Sequence, residues 1–203
     1  MGTKPTLSYI LAHFSIIVKN KCYDSLCYNV VMIFIFGPAG SGKSTQTKLL
    51  ADALGREWRS VGELCREQFA DYTRDGSMVP EAELAAAIKQ EIDAVRATGK
   101  DLVFDGQPWS SAGAEIMLRT GIFDNVESIV LLDVPRDELL SRLAVRGRAD
   151  DRPEVWEKKI DMYDSRIADF LAPLRAAGIP IISVSGLGTP TEVSARLLAT
   201  LGL

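Results

Sequence analysis

A glycine-rich segment that follows an apolar run is the part of this sequence whose residue types and spacing most clearly predict chemistry. Residues 37–45 read Gly-Pro-Ala-Gly-Ser-Gly-Lys-Ser-Thr and come directly after the apolar residues 30–36. This spacing fits the phosphate-binding pattern G-x-x-x-x-G-K-S/T, in which backbone N–H groups and the positive end of the next helix surround a polyphosphate. Lys43 adds a full charge near the transferred group, and Ser44 offers a hydroxyl to Mg²⁺.

The position of this motif, between a strand-like run and a helix-like stretch, favours a nucleoside triphosphate site. The alternative is a glycine-rich turn that binds nothing, and such a turn would leave Lys43 unexplained. The residues that define the motif are Gly37, Gly42, Lys43 and Ser44.

A carboxylate at the end of a later strand is the second candidate. Asp105 follows an apolar run, and the carboxyl ends of parallel strands meet at the edge where open α/β sheets bind ligands. A carboxylate there can hold Mg²⁺, usually through water, beside the β- and γ-phosphates. Gly106 would let a ligand approach the backbone closely. The alternative is a solvated aspartate in a turn.

Three arginines within seven residues form the third candidate. Arg142 and Arg146 are four apart and share a helix face, and Arg148 follows on a loop. Guanidinium groups match the charge that spreads over a migrating phosphoryl group, and three of them repel one another unless an anion lies between them. The alternative is a solvated charged face, partly neutralised by Asp150 and Asp151.

A short helical lobe is predicted between the second and third strands, from residues 60–66 and 76–80. Arg66 on this lobe could hold a second phosphate. Taken alone this is a weak signal, because surface arginines are common.

Composition excludes several classes of function. The 203 residues are 47% apolar and 25% charged, with a net charge of −4, which is ordinary for a globular enzyme. No basic block points to nucleic acid. Cys22, Cys27 and Cys65 are too few and scattered for a disulfide framework or a zinc site, so a reducing, cytoplasmic compartment fits best. The single histidine, His13, makes histidine acid–base chemistry a poor candidate.

The first thirty residues differ from the rest. An apolar run over 7–18 is too short to span a bilayer as a helix, and no small-residue cleavage pattern follows it. We therefore expect residues 1–31 to be an extension that the fold does not need, with the folded domain at 32–203. A membrane or targeting role and an added packing element are the alternatives.

Strand-like apolar runs alternate with helical patterns from Met32 onward, which predicts an α/β fold with a parallel sheet. The predicted strands are 31–36, 57–60, 101–105, 127–133 and 179–184. The predicted helices are 43–54, 62–71, 81–98, 111–120, 136–146, 154–176 and 190–201. We expect Asp133 to be structural and to cap the helix that follows it.

These motifs, in this order, resemble the adenylate kinase family of nucleoside monophosphate kinases. The resemblance runs from about Met32 to Leu203, and its last part also includes Glu154, Lys159, Tyr163 and the pair Pro173 and Leu174. The other matching segments are 37–46, Gly62-Glu63-Leu64-x-Arg66, Gly76-x-x-Val79-Pro80, Asp105-Gly106-x-Pro108 and Arg142-x-x-x-Arg146-x-Arg148-x-Asp150-Asp151.

The resemblance implies a P-loop NTPase-type three-layer fold with a five-stranded parallel sheet. It also implies an acceptor-binding lobe at about 60–90 and a short lid at about 146–151, with no room for a zinc-binding insertion. The donor triphosphate would lie on Gly40, Ser41, Gly42, Lys43, Ser44 and Thr45, with Arg142 against its base. Arg146, Arg148 and Lys159 would gather the phosphates. The acceptor would meet Arg66, the region of Ser77–Val79, and Val61, Gly62 and Gly106.

The sequence departs from the family pattern mainly on the acceptor side. Trp109 stands where the family has an arginine, and Gly113 stands where a glutamine reads the adenine. Val61 replaces a frequent hydroxyl residue, and Lys159 replaces an arginine. Gln107 and Trp109 could define a different acceptor, with Trp109 either stacking on a base or sugar or packing beneath the lobe.

The resulting prediction is a magnesium-dependent transferase that moves a phosphoryl group from ATP to a nucleoside monophosphate, with AMP as the first choice. One alternative is a kinase for another nucleotide or small molecule. The other is a nucleotide-binding module whose acceptor site has degenerated. We expect small-molecule nucleotides as partners, no nucleic acid and no membrane, and, by analogy with small kinases of this build, a monomer.

Overall fold

The computed structural model of the protein describes residues 30–74, 77–106, 110–147 and 152–203. The described residues form one five-stranded parallel sheet in the order β2-β3-β1-β4-β5. Its strands are β1 (Met32–Phe36), β2 (Glu57–Ser60), β3 (Leu102–Gly106), β4 (Val126–Asp133) and β5 (Ile181–Ser185). The helices are α1 (Lys43–Leu54), α2 (Val61–Gln68), α3 (Ala70–Arg74), α4 (Glu81–Arg96), α5 (Ser111–Arg119), α6 (Arg136–Arg146), α7 (Pro153–Ala176) and α8 (Pro190–Leu201).

The central strand explains the three layers. Every residue of β1 is buried, as expected for a strand covered on both faces. Phe34 packs in one core with Phe104 and Phe170, while Ile33 and Ile35 pack in the other. The first core lies under α4, α5 and α7, and the second lies under α1 and α8. The predicted α/β fold with a five-stranded parallel sheet is confirmed.

Strand register sets the ligand-binding edge. Phe36 at the end of β1 lies opposite Gly106 of β3 and Leu131 of β4. Ser60 at the end of β2 lies opposite Asp105. The carboxyl ends of these strands are therefore aligned, so that residues at the tips of β1, β2 and β3 open onto one cleft.

Most helix ends follow the sequence signals. Thr189 caps α8 in a full capping box with Glu192, and Pro190 occupies the first turn. The prediction of a single helix over 62–71 is wrong. Phe69, with a φ of −129°, separates α2 from α3. The prediction that Asp133 caps α6 is wrong, since the N-cap position is Pro135 and no side chain of the described residues bonds there.

Two residues before β1 are tied to the sheet. Val30 is buried, and the backbone N–H of Val31 donates to Oδ1 of Asp101 at 2.9 Å.

In the described ranges, no helix is both long enough and apolar enough to cross a membrane.

Candidate active site

The loop between β1 and α1 has a shape that favours glycine at three of its positions. A Cβ on Gly37 would lie 2.6 Å from Oγ of Ser41, and a Cβ on Gly40 would lie 2.8 Å from the carbonyl oxygen of Leu139. Gly40 and Gly42 also have φ values of +84° and +88°, in the left-handed region. The loop is thereby held tightly against α6 while its backbone turns around an open centre.

The start of α1 points into this loop. Gly42 is the N-cap residue, and no side chain among the described residues caps the helix there. The N–H groups of the first turn and the positive end of the helix dipole therefore point toward an anion bound in the loop. Ser44 is half-buried and Thr45 is exposed in that first turn.

Lys43 folds back over the loop. Its Nζ donates to the carbonyl oxygen of Pro38 at 3.2 Å, which places the ammonium group across the mouth of the loop. Ser41 is almost fully buried, and its Oγ has no hydrogen-bond partner within the described part of the chain. The loop therefore presents a cation and a buried hydroxyl beside its backbone N–H groups.

Asp105 lies beside the loop on the neighbouring strand. Its side chain is 1% exposed, and its Oδ1 accepts a hydrogen bond of 2.8 Å from Oγ of Ser60. Its Oδ2 has no partner among the described residues. A buried carboxylate oxygen without a partner is costly, which is a feature expected where a ligand completes the site. The sequence predicted that Asp105 is the last residue of its strand. In the structure β3 continues by one residue, to Gly106.

Arg142 is anchored at the loop from the opposite side. Its Nη2 donates to the carbonyl oxygen of Gly186 at 3.0 Å, and its Nη1 lies 3.5 Å from that of Ser41. Its Nε donates to Glu138 at 2.7 Å. The planar guanidinium thus joins the phosphate loop to the segment between β5 and α8, next to the predicted donor site.

The other basic residues of the predicted cluster follow Arg142 along α6 and α7. Arg146 is half-buried at the end of α6, one turn beyond Arg142, and Lys159 is half-buried on α7. Leu143 and Ile160 pack together in a small core that also holds Ala39 of the loop. Arg148 lies outside the described residues.

The predicted acceptor lobe contributes both apolar and charged surface. Val61 and Val79 are buried, and Gly62, Arg66 and Ser77 are exposed. A guanidinium nitrogen of Arg66 lies 3.4 Å from the position that a Cβ on Gly62 would take, so the side chain folds back over the start of α2.

Gly106 at the end of β3 packs closely against the Phe36 ring, because a Cβ there would lie 2.9 Å from that ring. Gln107 and Trp109, which the sequence predicts to define the acceptor, lie outside the described residues.

Sequence reasoning gave no role to two residues that hold the site together. Ser60 both caps α2, by accepting from the N–H of Glu63 at 3.4 Å, and orients Asp105. The sequence pattern that could have predicted this cap is a serine three residues before a glutamate at the start of a helix. Glu81 accepts two hydrogen bonds from Ser110, and nothing in the sequence beyond a helix start marked it.

Two other titratable groups stay neutral. Burial raises the pKa of the Cys65 thiol to about 11, and burial together with Asp164 and Asp133 raises the pKa of Tyr163.

Within the described ranges, no three histidine, cysteine or acidic residues come together as metal ligands. The site is therefore built from cations, backbone donors and one buried carboxylate, which suits the transfer of a phosphoryl group between two bound nucleotides.

Comparisons with known proteins identify the family. A family model described as an AAA domain matches residues 36–157. An adenylate kinase of Thermus thermophilus is 32% identical over 189 residues, which cover 84% of this chain and 97% of that protein. The adenylate kinase of Mycobacterium sp. MCS is 34% identical over 182 residues, which cover 84% of this chain and 98% of that protein. The chain belongs to the adenylate kinase family.

This member of the adenylate kinase family is a nucleoside monophosphate kinase, and the resemblance inferred from the sequence motifs is confirmed. A crystal structure of a sugar kinase from Janibacter sp. HTCC2649 superposes with a TM-score of 0.62 over 85% of this chain and 95% of that one. At 16% sequence identity, this likeness concerns the fold alone.

Proposed function

We propose that the protein transfers the γ-phosphoryl group of ATP–Mg²⁺ to AMP and forms two molecules of ADP. The observation that carries the proposal is the position of Asp105, whose Oδ2 has no partner among the described residues and lies at the strand edge shared with the phosphate loop. The adenylate kinases among its relatives support AMP as the acceptor.

Magnesium fits the residues at this edge. Mg²⁺ prefers oxygen ligands and usually keeps several waters, so one carboxylate and one hydroxyl suffice beside the phosphates. Asp105 and Ser44 supply these two groups. The bound ion would neutralise charge on the β- and γ-phosphates.

The donor side needs little rearrangement. Residues 40–45 surround the phosphates with N–H donors, and Lys43 exchanges the Pro38 carbonyl for a phosphate oxygen. Arg142 lies against the donor base, and Arg146, Arg148 and Lys159 close over the migrating group. Their positive charges stabilise the negative charge that spreads over the transferred oxygens.

The acceptor side positions the second nucleotide. Arg66 binds the acceptor phosphate, while Val61, Gly62, Ser77 and Val79 line the rest of the nucleotide. Gly106, Gln107 and Trp109 complete this wall. The protein supplies no nucleophile of its own, so the rate depends on alignment of the two nucleotides and exclusion of water.

We further propose a cytoplasmic monomer whose residues 1–31 are not needed for catalysis. The proposed use of ATP supports a cytoplasmic location. No interaction with nucleic acid or membrane is part of the proposed activity.

A coupled assay across AMP, CMP, UMP, GMP and their deoxy forms tests the proposal. We expect turnover with AMP at a higher kcat/KM than with any other monophosphate. Activity with no monophosphate, together with tight ATP binding, would instead favour a kinase for another small molecule or a binding module. Arg66→Ala should raise the KM for AMP far more than the KM for ATP, and equal effects would contradict its assigned role.

A further inference from the structure

A carboxylate lies beside the position on α5 where the family pattern has a glutamine. Glu81 is the first residue of α4, and Ser110 is the N-cap residue of α5. Oε1 of Glu81 accepts from the backbone N–H of Ser110 at 2.9 Å, and Oε2 accepts from the Ser110 hydroxyl at 2.8 Å. These two bonds fix the direction of the carboxylate.

Gly113 makes room for this carboxylate. A Cβ built on Gly113 would lie 3.0 Å from the carboxyl carbon of Glu81 and 3.1 Å from each of its oxygens. A side chain at position 113 would therefore require the carboxylate to shift by a few tenths of an ångström. Gly113 stands where the family pattern has a glutamine. Because glycine has no side chain, the Glu81 carboxylate can lie next to that position.

The carboxylate retains hydrogen-bonding capacity. Each oxygen accepts one bond from Ser110, and a carboxylate has about four acceptor positions. In the described ranges, the partners of the Glu81 carboxylate are the two groups of Ser110, with no arginine or lysine paired to it, and Glu81 is half-buried. It can accept further hydrogen bonds, but it cannot donate any.

The location agrees with a role toward the acceptor. Ser110 comes four residues after Gly106, the last residue of β3, and Val79 lies two residues before Glu81. In open α/β sheets, ligands bind beyond the carboxyl ends of the strands, which is where these segments meet.

We propose that the Glu81 carboxylate selects the acceptor base by accepting a hydrogen bond from its exocyclic amino group. This inference rests on the proposed function, since it concerns the acceptor site of the same reaction. Adenine presents an amino group at position 6, whereas hypoxanthine presents an oxygen there and an N–H at the neighbouring ring position 1. A carboxylate that contacts position 6 accepts from the adenine amino group and is repelled by the hypoxanthine oxygen. AMP and IMP are therefore the matched pair of substrates that isolates the contact.

The test compares kcat/KM for AMP and IMP in the wild type and in Glu81→Gln. The amide can donate to an oxygen as well as accept from an amino group, so it removes the basis for discrimination. We expect the wild type to favour AMP and Glu81→Gln to reduce the AMP/IMP ratio by roughly 10- to 100-fold, mainly through the KM values. A purely structural role would lower both activities equally.

Glu83→Gln is the matched control. Glu83 lies in the same first turn of α4 and is exposed, so its substitution removes the same charge and should leave the AMP/IMP ratio unchanged. Gly113→Ala is a second route, because its Cβ displaces the carboxylate and should also lower the ratio. Melting curves and equilibrium binding of AMP and IMP accompany each variant, so that a poorly active variant is still informative.

The outcomes separate the two proposals. An active wild type whose AMP/IMP ratio stays unchanged in both Glu81→Gln and Gly113→Ala overturns the role of Glu81 and leaves the kinase assignment in place. A wild type that uses IMP as well as AMP overturns the same role. A wild type that phosphorylates no monophosphate overturns the proposed function, and the role of Glu81 with it.

Discussion

The hydroxyl of Ser60 donates a hydrogen bond of 2.8 Å to one carboxylate oxygen of Asp105, directly across the β2–β3 pairing. The same hydroxyl caps α2 by accepting from the N–H of Glu63. One side chain therefore fixes both the start of the predicted acceptor lobe and the orientation of the proposed magnesium ligand. The second oxygen of Asp105 remains directed away from this bond and has no partner in the described part of the chain.

Ser60→Ala should lower both stability and activity. The substitution removes a helix cap and leaves the buried Asp105 carboxylate without its donor, a loss of about 2–3 kcal/mol in the free energy of unfolding. We expect a lower kcat as well, because Asp105 loses its fixed orientation. Denaturant unfolding and steady-state kinetics measure the two effects.

Ser128→Ala is the control for Ser60→Ala. Ser128 is also a buried serine, but its Oγ has no hydrogen-bond partner in the described ranges. Its removal should change the free energy of unfolding by less than about 0.5 kcal/mol or stabilise the protein. Equal losses in the two variants would contradict the importance of the Ser60–Asp105 bond.

Arg142→Lys should weaken ATP binding selectively. The planar guanidinium of Arg142 contacts the Glu138 carboxylate and the carbonyl oxygens of Gly186 and Ser41. The ammonium group of a lysine cannot reach all three groups at once. We expect the KM for ATP to rise roughly tenfold with little change in the KM for AMP. Arg136→Lys is the control, because Arg136 lies on the same helix in an exposed pair with Asp161. Equal increases in both KM values would argue against a donor-side role for Arg142.

Deletion of the first residues should have an effect that depends sharply on the end point. Removal of residues 1–29 should leave the melting temperature and activity nearly unchanged. Removal of residues 1–31 also takes away the buried Val30 and the bond from the Val31 N–H to Asp101, which should cost about 2–3 kcal/mol of unfolding free energy. Thermal unfolding of the two truncated proteins measures the difference. A large loss on removal of residues 1–29 alone would indicate that the extension contributes to packing.

Cys65 should react slowly with thiol reagents in the folded protein. Burial raises its pKa to about 11 from the usual 9.0, so almost no thiolate is present near neutral pH. Alkylation followed by peptide mapping distinguishes Cys65 from Cys22 and Cys27. Fast modification of Cys65 at roughly pH 8 without denaturant would contradict its half-buried, neutral state.

The same shift in the pKa of Cys65 has a consequence for stability. The unfolded chain loses the thiol proton near its ordinary pKa of 9.0, while the folded protein keeps the proton up to about 11. The contribution of Cys65 to stability should therefore decline as the pH rises through this window. Replacement by serine should flatten this part of the pH–stability profile.

The sheet could be predicted because its strands are nearly continuous apolar runs between helical patterns. The ends of α1, α6 and α8 matched the predicted bounds, since glycine, proline and capping residues mark them. The break at Phe69 could not be predicted, because no glycine or proline precedes it and the turn depends on packing within the lobe.

The site could be predicted only where one local segment carries the chemistry. The phosphate loop is contiguous, so its motif located it. The contacts of Ser60 with Asp105 and of Arg142 with Gly186 join residues more than forty positions apart, and they depend on strand register and helix packing. The Glu81–Ser110 pair joins residues 29 positions apart, and only the structure shows that it lies beside Gly113.

Label transfer from ATP tests the central claim most directly. The protein is incubated with ATP labelled in the γ-phosphate, Mg²⁺ and AMP, and the label is followed into ADP and into inorganic phosphate, for the wild type and for Lys43→Met. We expect the wild type to place nearly all label in the β-phosphate of newly formed ADP, and Lys43→Met to slow this transfer by roughly 1000-fold or more. Label found only in inorganic phosphate, or an equal transfer rate in Lys43→Met, would contradict the account.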